Sequence, residues 1–196
     1  MEGRIIIIEG LQGVGKSVFC ESYAKCNKNV VVLKEWVDNQ ILEEYINDMP
    51  NKATSFQCKA QQETIKKLYE AIQLVKENKT VLLDRGIYGN LVFCTLQHEK
   101  GYISVVDFNF YKIMCEVKIN VPIETWLLKC TPEIALERIK KRNRDGESAY
   151  TLEYLQDLDK KHNEIIPYDR IININKSYPI ENNILKEPFI RELCEV

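Results

Sequence analysis

The sequence predicts an α/β fold, a five-stranded parallel sheet with helices on both faces. Three observations predict it. Five short apolar runs, at 4–9, 30–34, 80–84, 125–129 and 170–174, punctuate the 196 residues. Stretches of helical period fill the intervals between them. No repeat, low-complexity tract or Gly/Ser linker divides the chain, whose length suits one domain, 1–196, with a single sizeable core. Strands alternating with helices imply crossover connections between parallel strands, and ligands then sit beyond the carboxyl ends of the strands.

The first run holds Ile5-Ile6-Ile7-Ile8, four β-branched residues bounded by charge, and reads as a strand buried on both faces. Gly10-Leu11-Gln12-Gly13-Val14-Gly15-Lys16-Ser17 follows directly, and a helix is expected from Ser17 to about Cys26. The glycines let the chain turn tightly and bring backbone N–H groups to a triphosphate. Lys16 can reach the β- and γ-phosphates, the Ser17 hydroxyl can hold Mg²⁺, and the helix N-terminus faces the same charge. With a strand before it and a helix after it, this segment reads as a nucleoside-triphosphate loop; a chance glycine turn is the alternative.

The second run leads into Glu35-Trp36, which places a carboxylate at the mouth of the cleft, within reach of an acceptor hydroxyl as a general base. The alternative is a solvated glutamate at a strand end. A helix at 41–47 precedes a long third helix at 56–77 that opens on Phe56-Gln57. The third run ends in Asp84-Arg85: the acid can hold Mg²⁺, directly or through water, and the arginine can neutralise a phosphoryl group in transfer. A structural ion pair is the alternative. Helices at 89–97 and 104–117 lead to the fourth run. The helix at 132–142 then runs into Arg138, Lys140, Lys141, Arg142 and Arg144, followed by Asp145-Gly146-Glu147. This cluster reads as an arginine-bearing lid, about 138–147, that closes over ATP; a solvated helix face is the alternative. A helix at 152–165 and the fifth run follow. The tail at 178–196 carries a terminal helix from about Pro188 with no evident function.

A net charge of −2 gives no reason to expect nucleic acid or an anionic membrane as partner. Met1-Glu2-Gly3-Arg4 runs straight into the first strand without a leader, and no apolar stretch is long enough to cross a bilayer, so a cytoplasmic protein is expected. Seven scattered cysteines without a C-x-x-C pair read as reduced thiols, with neither zinc nor thiol chemistry indicated. His98 and His162 are expected on the surface or at helix caps.

Gly10 to Ser17, the glutamate after the second strand, Phe56-Gln57, Asp84-Arg85, Arg138-x-x-x-Arg142-x-Arg144 and Leu152-Glu153-Tyr154-Leu155 occur together in this order. In this the chain resembles the deoxynucleoside kinases, over nearly its whole length and with weaker likeness after Ile165. The resemblance implies a P-loop kinase fold, ATP and a deoxynucleoside as partners, and Mg²⁺ as cofactor. Carried over, Lys16 and Ser17 match the ATP-phosphate and Mg²⁺ residues, and Glu35 the base for the nucleoside 5′-hydroxyl. Gln57 matches the amide that reads the nucleobase edge, Asp84 and Arg85 the acid–arginine pair near the metal and the 5′-oxygen. Arg138, Arg142 and Arg144 match lid arginines, with Arg138 placed to stack on the base of ATP. Glu147 falls where a family glutamate binds the sugar 3′-hydroxyl, with Tyr45 as its partner. Phe56, Phe93 and Phe110 are candidates to wall the nucleobase.

The chain also departs from the family. Trp36 directly follows Glu35 where Glu-Pro-Val is usual, and Asp84-Arg85-Gly86 stands for Glu-Arg-Ser. Thr64 and Asn90 occupy positions that carry Arg and Asp in deoxycytidine and purine kinases, which tilts the expectation towards thymidine or broad pyrimidine use. The alternatives are a thymidylate kinase, which would need cations at an acceptor phosphate rather than Glu35, and a nucleotide-binding regulator without catalysis. Resemblance further implies a homodimer built on the helices at 56–77 and 104–117.

Overall fold

The computed structural model describes residues 2–143, 150–176, 178–182 and 184–194. Its centre is β1 (Arg4–Glu9), whose four isoleucines are at most 6% exposed. β1 pairs in parallel with β3 (Thr80–Asp84) on one side and β4 (Ile123–Lys129) on the other. β2 (Val30–Leu33) extends the sheet beyond β3, and β5 (Arg170–Asn173) beyond β4, giving the order β2-β3-β1-β4-β5. All five strands run in the same direction, as the five apolar runs predict.

Side-chain alternation along the strands divides the core. Ile5, Ile7, Val81 and Leu83 face α3 (Met49–Lys76) through Leu68, Ala71 and Val75. Ile6, Ile8, Leu82, Trp126 and Leu128 face the opposite layer, reached by Phe19 of α1 (Lys16–Cys26), Val92 and Leu96 of α4 (Ile87–Glu99), Ile139 of α6 (Pro132–Arg142) and Leu155 and Leu158 of α7 (Leu152–Ile165). A third cluster gathers Tyr45 from α2 (Asn39–Asn47), Ala53, Cys94 and Tyr111 from α5 (Val105–Met114) at one end of the sheet.

Local chemistry sets the helix ends. Asp38 caps α2 by accepting from the N–H groups of Gln40 and Ile41, Thr131 with Pro132 opens α6, and Thr151 opens α7. The third helix begins at Met49, two turns earlier than its expected start at Phe56, because Pro50 lies in the first turn, where its missing N–H is harmless. Phe56 and Gln57 therefore sit inside the helix rather than opening it. Beyond β5 the chain forms a small antiparallel pair, β6 (Ile180–Glu181) with β7 (Ile184–Leu185), which carries no marked apolar run, and then α8 (Glu187–Cys194). No disulfide joins the cysteines of the described residues. No helix of the described residues is long and apolar enough to cross a membrane.

Candidate active site

The loop between β1 and α1 is shaped by close approach. Gly13 adopts φ +78°, and a Cβ there would lie 2.4 Å from the Ala135 carbonyl oxygen of α6. Gly15, at φ +106°, caps α1 with nothing within 4 Å of a Cβ position. The loop is thus pressed against α6 at one glycine and open at another. Lys16 Nζ donates to the carbonyls of Gly10 and Leu11, both at 3.1 Å. The side chains of Leu11 and Val14 are buried in the core, the Val14 N–H donates to the Leu11 carbonyl, and neither residue lines the cavity beside the loop.

A cavity of about 210 Å³ extends from this loop across the carboxyl ends of the strands. At its end beside the loop lie Gln12, Gly13, Gly15, Lys16 and Ser17; at its far end lie Tyr45, Phe56, Gln57, Asn90 and Phe93; Glu35 and Arg85 stand between. Arg142 lines it from α6. Residues distant in sequence therefore converge as their places at strand and helix ends predict. Gly10, Leu11, Val14, Asp84 and Arg138 do not line the cavity. The Arg138 guanidinium donates instead to the carbonyls of Val14, Ile174 and Lys176, tying α6 to the loop and to the segment after β5. Arg144 and Glu147 lie outside the described residues, as does most of the segment read as a lid beyond Asn143.

Arg85 is the centre of the charge cluster. It is 4% exposed, adopts φ +68°, and its Nε donates to Glu35 Oε1 at 2.6 Å. Its guanidinium lies 4.8 Å from the centroid of the Phe93 ring, a cation–π contact. Burial favours the neutral acid at Glu35, but the charges of Arg85 and then Lys16 outweigh it and hold this carboxyl below its ordinary range. Burial lowers Lys16, reinforced by Arg85, and burial raises Asp84. Lys67 of α3, which no sequence signal singled out, donates to the Lys34 carbonyl and adds positive charge near Glu35.

Ser17 Oγ donates to Asp84 Oδ2 at 2.6 Å, and Asp84 Oδ1 is buried with no partner among the described residues. A hydroxyl beside a carboxylate with an unsatisfied oxygen is the hard-oxygen donor set that suits Mg²⁺, which keeps several waters and takes few protein ligands. Among the described residues no group of three or more His, Cys, Asp or Glu could hold a metal.

At the far end, Tyr45 stacks on Phe56 with centroids 4.3 Å apart and planes 8° from parallel. Trp36 tilts against the same Phe56 at 6.4 Å and lines the cavity, which gives this departure from the family pattern a place at the mouth. Asn90 Nδ2 donates to Gln61 Oε1 at 3.1 Å and to Thr64 Oγ1 at 2.9 Å. Tyr150 and Tyr154 also line the cavity; only the second lay in a noted motif. Two expectations are corrected. Phe110 is 64% exposed on the outer side of α5 and does not wall the cavity, because the α5 surface that packs inward carries Tyr111. His162 is 1% exposed rather than superficial, since its turn of α7 packs against the sheet, and its Nδ1 lies 2.7 Å from the Leu158 carbonyl oxygen.

Comparison with known proteins bears on the family and the fold. Residues 6–187 match the family model described as deoxynucleoside kinase. The chain is 31% identical over 187 residues to a deoxyadenosine kinase of Dictyostelium discoideum, covering 90% of this chain and 74% of that one. It is 30% identical over 165 residues to a probable deoxycytidine kinase of Fowlpox virus, covering 80% and 69% respectively. Among solved structures, a deoxyadenosine kinase from M. mycoides with products dCMP and a flexible dCDP bound superposes with a TM-score of 0.75 at 21% identity, over 98% of this chain and all of that one. With the family model matched over residues 6–187 and a relative 31% identical over 90% of this chain, the chain belongs to the deoxynucleoside kinase family.

Proposed function

We propose that this kinase transfers the γ-phosphoryl group of ATP to the 5′-hydroxyl of a deoxypyrimidine nucleoside, thymidine included. The observation that carries the reaction is the position of Glu35. Its carboxylate is held ionised by Arg85, between the phosphate loop and the aromatic end of one cavity. Glu35 orients the 5′-hydroxyl and takes its proton as the oxygen attacks the γ-phosphorus; the bond to the bridging oxygen breaks and ADP leaves. Lys16, Arg85 and Arg142 oppose the charge that develops on the phosphoryl oxygens. Ser17 and Asp84 would hold Mg²⁺, which when bound neutralises phosphate charge. Gln57 faces the base edge, Phe56, Phe93 and Trp36 supply apolar and stacking surface, and Tyr45 meets the sugar. By family resemblance, Arg144 and Glu147 belong to the lid and the sugar site.

Thr64 and Asn90 support the pyrimidine preference: the neutral pair leaves no Arg–Asp ion pair to exclude a 5-methyl group. One observation favours a second reading. Both Asn90 amide hydrogens are directed at Gln61 and Thr64, which leaves Oδ1 as the acceptor and favours a base with an exocyclic amine. The named relatives act on such bases by description. Turnover of deoxycytidine and deoxyadenosine far above thymidine selects the second reading.

Glu35→Ala tests the general-base assignment. It should lower kcat by roughly 10²–10⁴-fold while nucleoside KM changes little. Equal effects on both parameters would remove Glu35 from the chemistry. We further propose a cytoplasmic homodimer formed through α3 and α5, supported by the apolar outer face of α5.

A further inference from the structure

Glu9, the last residue of β1, is 1% exposed, yet it touches neither the cavity nor solvent. Its Oε1 accepts from the backbone N–H groups of Gly86 and Gly89, both at 2.9 Å. These are the N-cap and third residues of α4, a helix with no side-chain cap of its own and no acid in its first turn. A serine or aspartate at the N-cap is the ordinary solution. Here a carboxylate from the central strand supplies the acceptor across 77 and 80 residues of sequence.

The surroundings are shaped to fit it. A Cβ at Gly89 would lie 2.2 Å from Glu9 Oε2, and one at Gly86 3.3 Å from Oε1. Burial pushes the carboxyl up to about 7, against the opposing charges of Arg85 and Lys16. Oε2 has no partner among the described residues. Burying such an acid is unfavourable, and a local cap would avoid it.

What the remote cap adds is registration between the two halves of the site. Glu9 immediately precedes the phosphate loop. The turn it grips begins next to Arg85, whose N–H donates to Ile8, the neighbour of Glu9 on β1. The same helix carries Asn90 and Phe93 into the cavity. We propose that Glu9 is a positioning residue for the acceptor half of the site: by holding the start of α4 it sets Arg85 against Glu35 and aligns both with the phosphate loop. This inference rests on the kinase reading of Glu35 and Arg85.

The test compares Glu9→Ala, Glu9→Gln and Glu9→Ala/Gly89→Ala. Glutamine keeps a carbonyl acceptor for the two N–H groups; alanine does not. Glu9→Ala should lower kcat and raise nucleoside KM, each by about tenfold or more, with ATP KM within about threefold of wild type. Glu9→Gln should restore both to within about threefold. The double variant lacks the acceptor but fills the vacated space with the methyl group introduced on α4, so it carries the same test if Glu9→Ala does not fold, and should match its losses. The ¹⁵N–¹H resonance of Arg85 Nε gives a readout independent of turnover: it should move in Glu9→Ala or the double variant and stay in Glu9→Gln. A Glu9→Gln enzyme as impaired as the alanine variant, an unmoved Arg85 resonance, or equal loss for ATP and nucleoside overturns the inference. An inactive wild-type enzyme, with the Arg85 resonance responding as described, would instead overturn the kinase reading alone.

Discussion

His162 shows how charge at the strand ends reaches side chains that never line the cavity. Its ring packs edge-on against Phe93 at 6.3 Å. Burial, with the Arg85 charge next, pulls its pKa from 6.5 down to about 3. The folded protein therefore holds His162 neutral where the unfolded chain would protonate it, so stability is lost as pH falls below 6.5. At pH 5 this amounts to about 2 kcal/mol. Glu9 acts with the opposite sign, since its raised pKa means that stability is lost as pH rises from its ordinary value of 4.5 through about 7. His162→Leu leaves Glu9 in place, so the comparison isolates the histidine. Thermal melts between pH 7 and pH 5 should show an acid-induced drop in Tm smaller by about 4–8 °C in the variant. An identical drop would place the sensitivity elsewhere. Neither residue's environment was legible in the sequence: an isolated histidine or strand-end glutamate carries no mark of the segments that fold over it. Glu35, Lys16, Ser17 and Asp84-Arg85 were legible because each stands at a fixed offset from an apolar run.

Among the elements, α6 packs directly against the loop between β1 and α1. Gly13 sits against Ala135 and Ile139, while Arg138 reaches back to the Val14 carbonyl. Gly13→Ala places a methyl group 2.4 Å from a backbone oxygen at a φ that L-residues rarely adopt, so the loop and α6 must separate. ATP KM should rise by about tenfold or more, equivalent to about 1.4 kcal/mol, with nucleoside KM little changed; a normal ATP KM would show that the loop tolerates the displacement. The strands were legible because β-branched runs bounded by charge have few other structures available. Helix starts were less so. The start of α3 lacks the side-chain cap that marks α2; Pro50 allows the early start, and Ala53 packs in the cluster around Tyr45. The β6–β7 pair is short, and two-residue strands leave no period to read.

For the whole molecule, the sheet order places β1 and β3 side by side, so the two strands that end in Glu9 and Asp84 deliver the donor and acceptor halves together. The surface proposed above for a second copy is that of α5, where Val106, Phe110 and Ile113 are each about 60% exposed and recur at helical spacing. Phe110→Glu should convert a dimer to a monomer in sedimentation velocity without changing the secondary structure; a wild-type protein that sediments as a monomer would remove the dimer proposal. Sequence alone offers Phe110 as a candidate for the base pocket because an aromatic at helical period looks alike on either face until the partner of that face is known. The most direct test of the central claim is ADP release with ATP–Mg²⁺ across the four deoxynucleosides, the ribonucleosides and thymidylate. Turnover of one or more deoxynucleosides, thymidine or deoxycytidine among them, with ribonucleosides and thymidylate slower, is the expected result. Turnover of thymidylate alone, or of no deoxynucleoside, would contradict the assignment of Glu35 as the base for a 5′-hydroxyl.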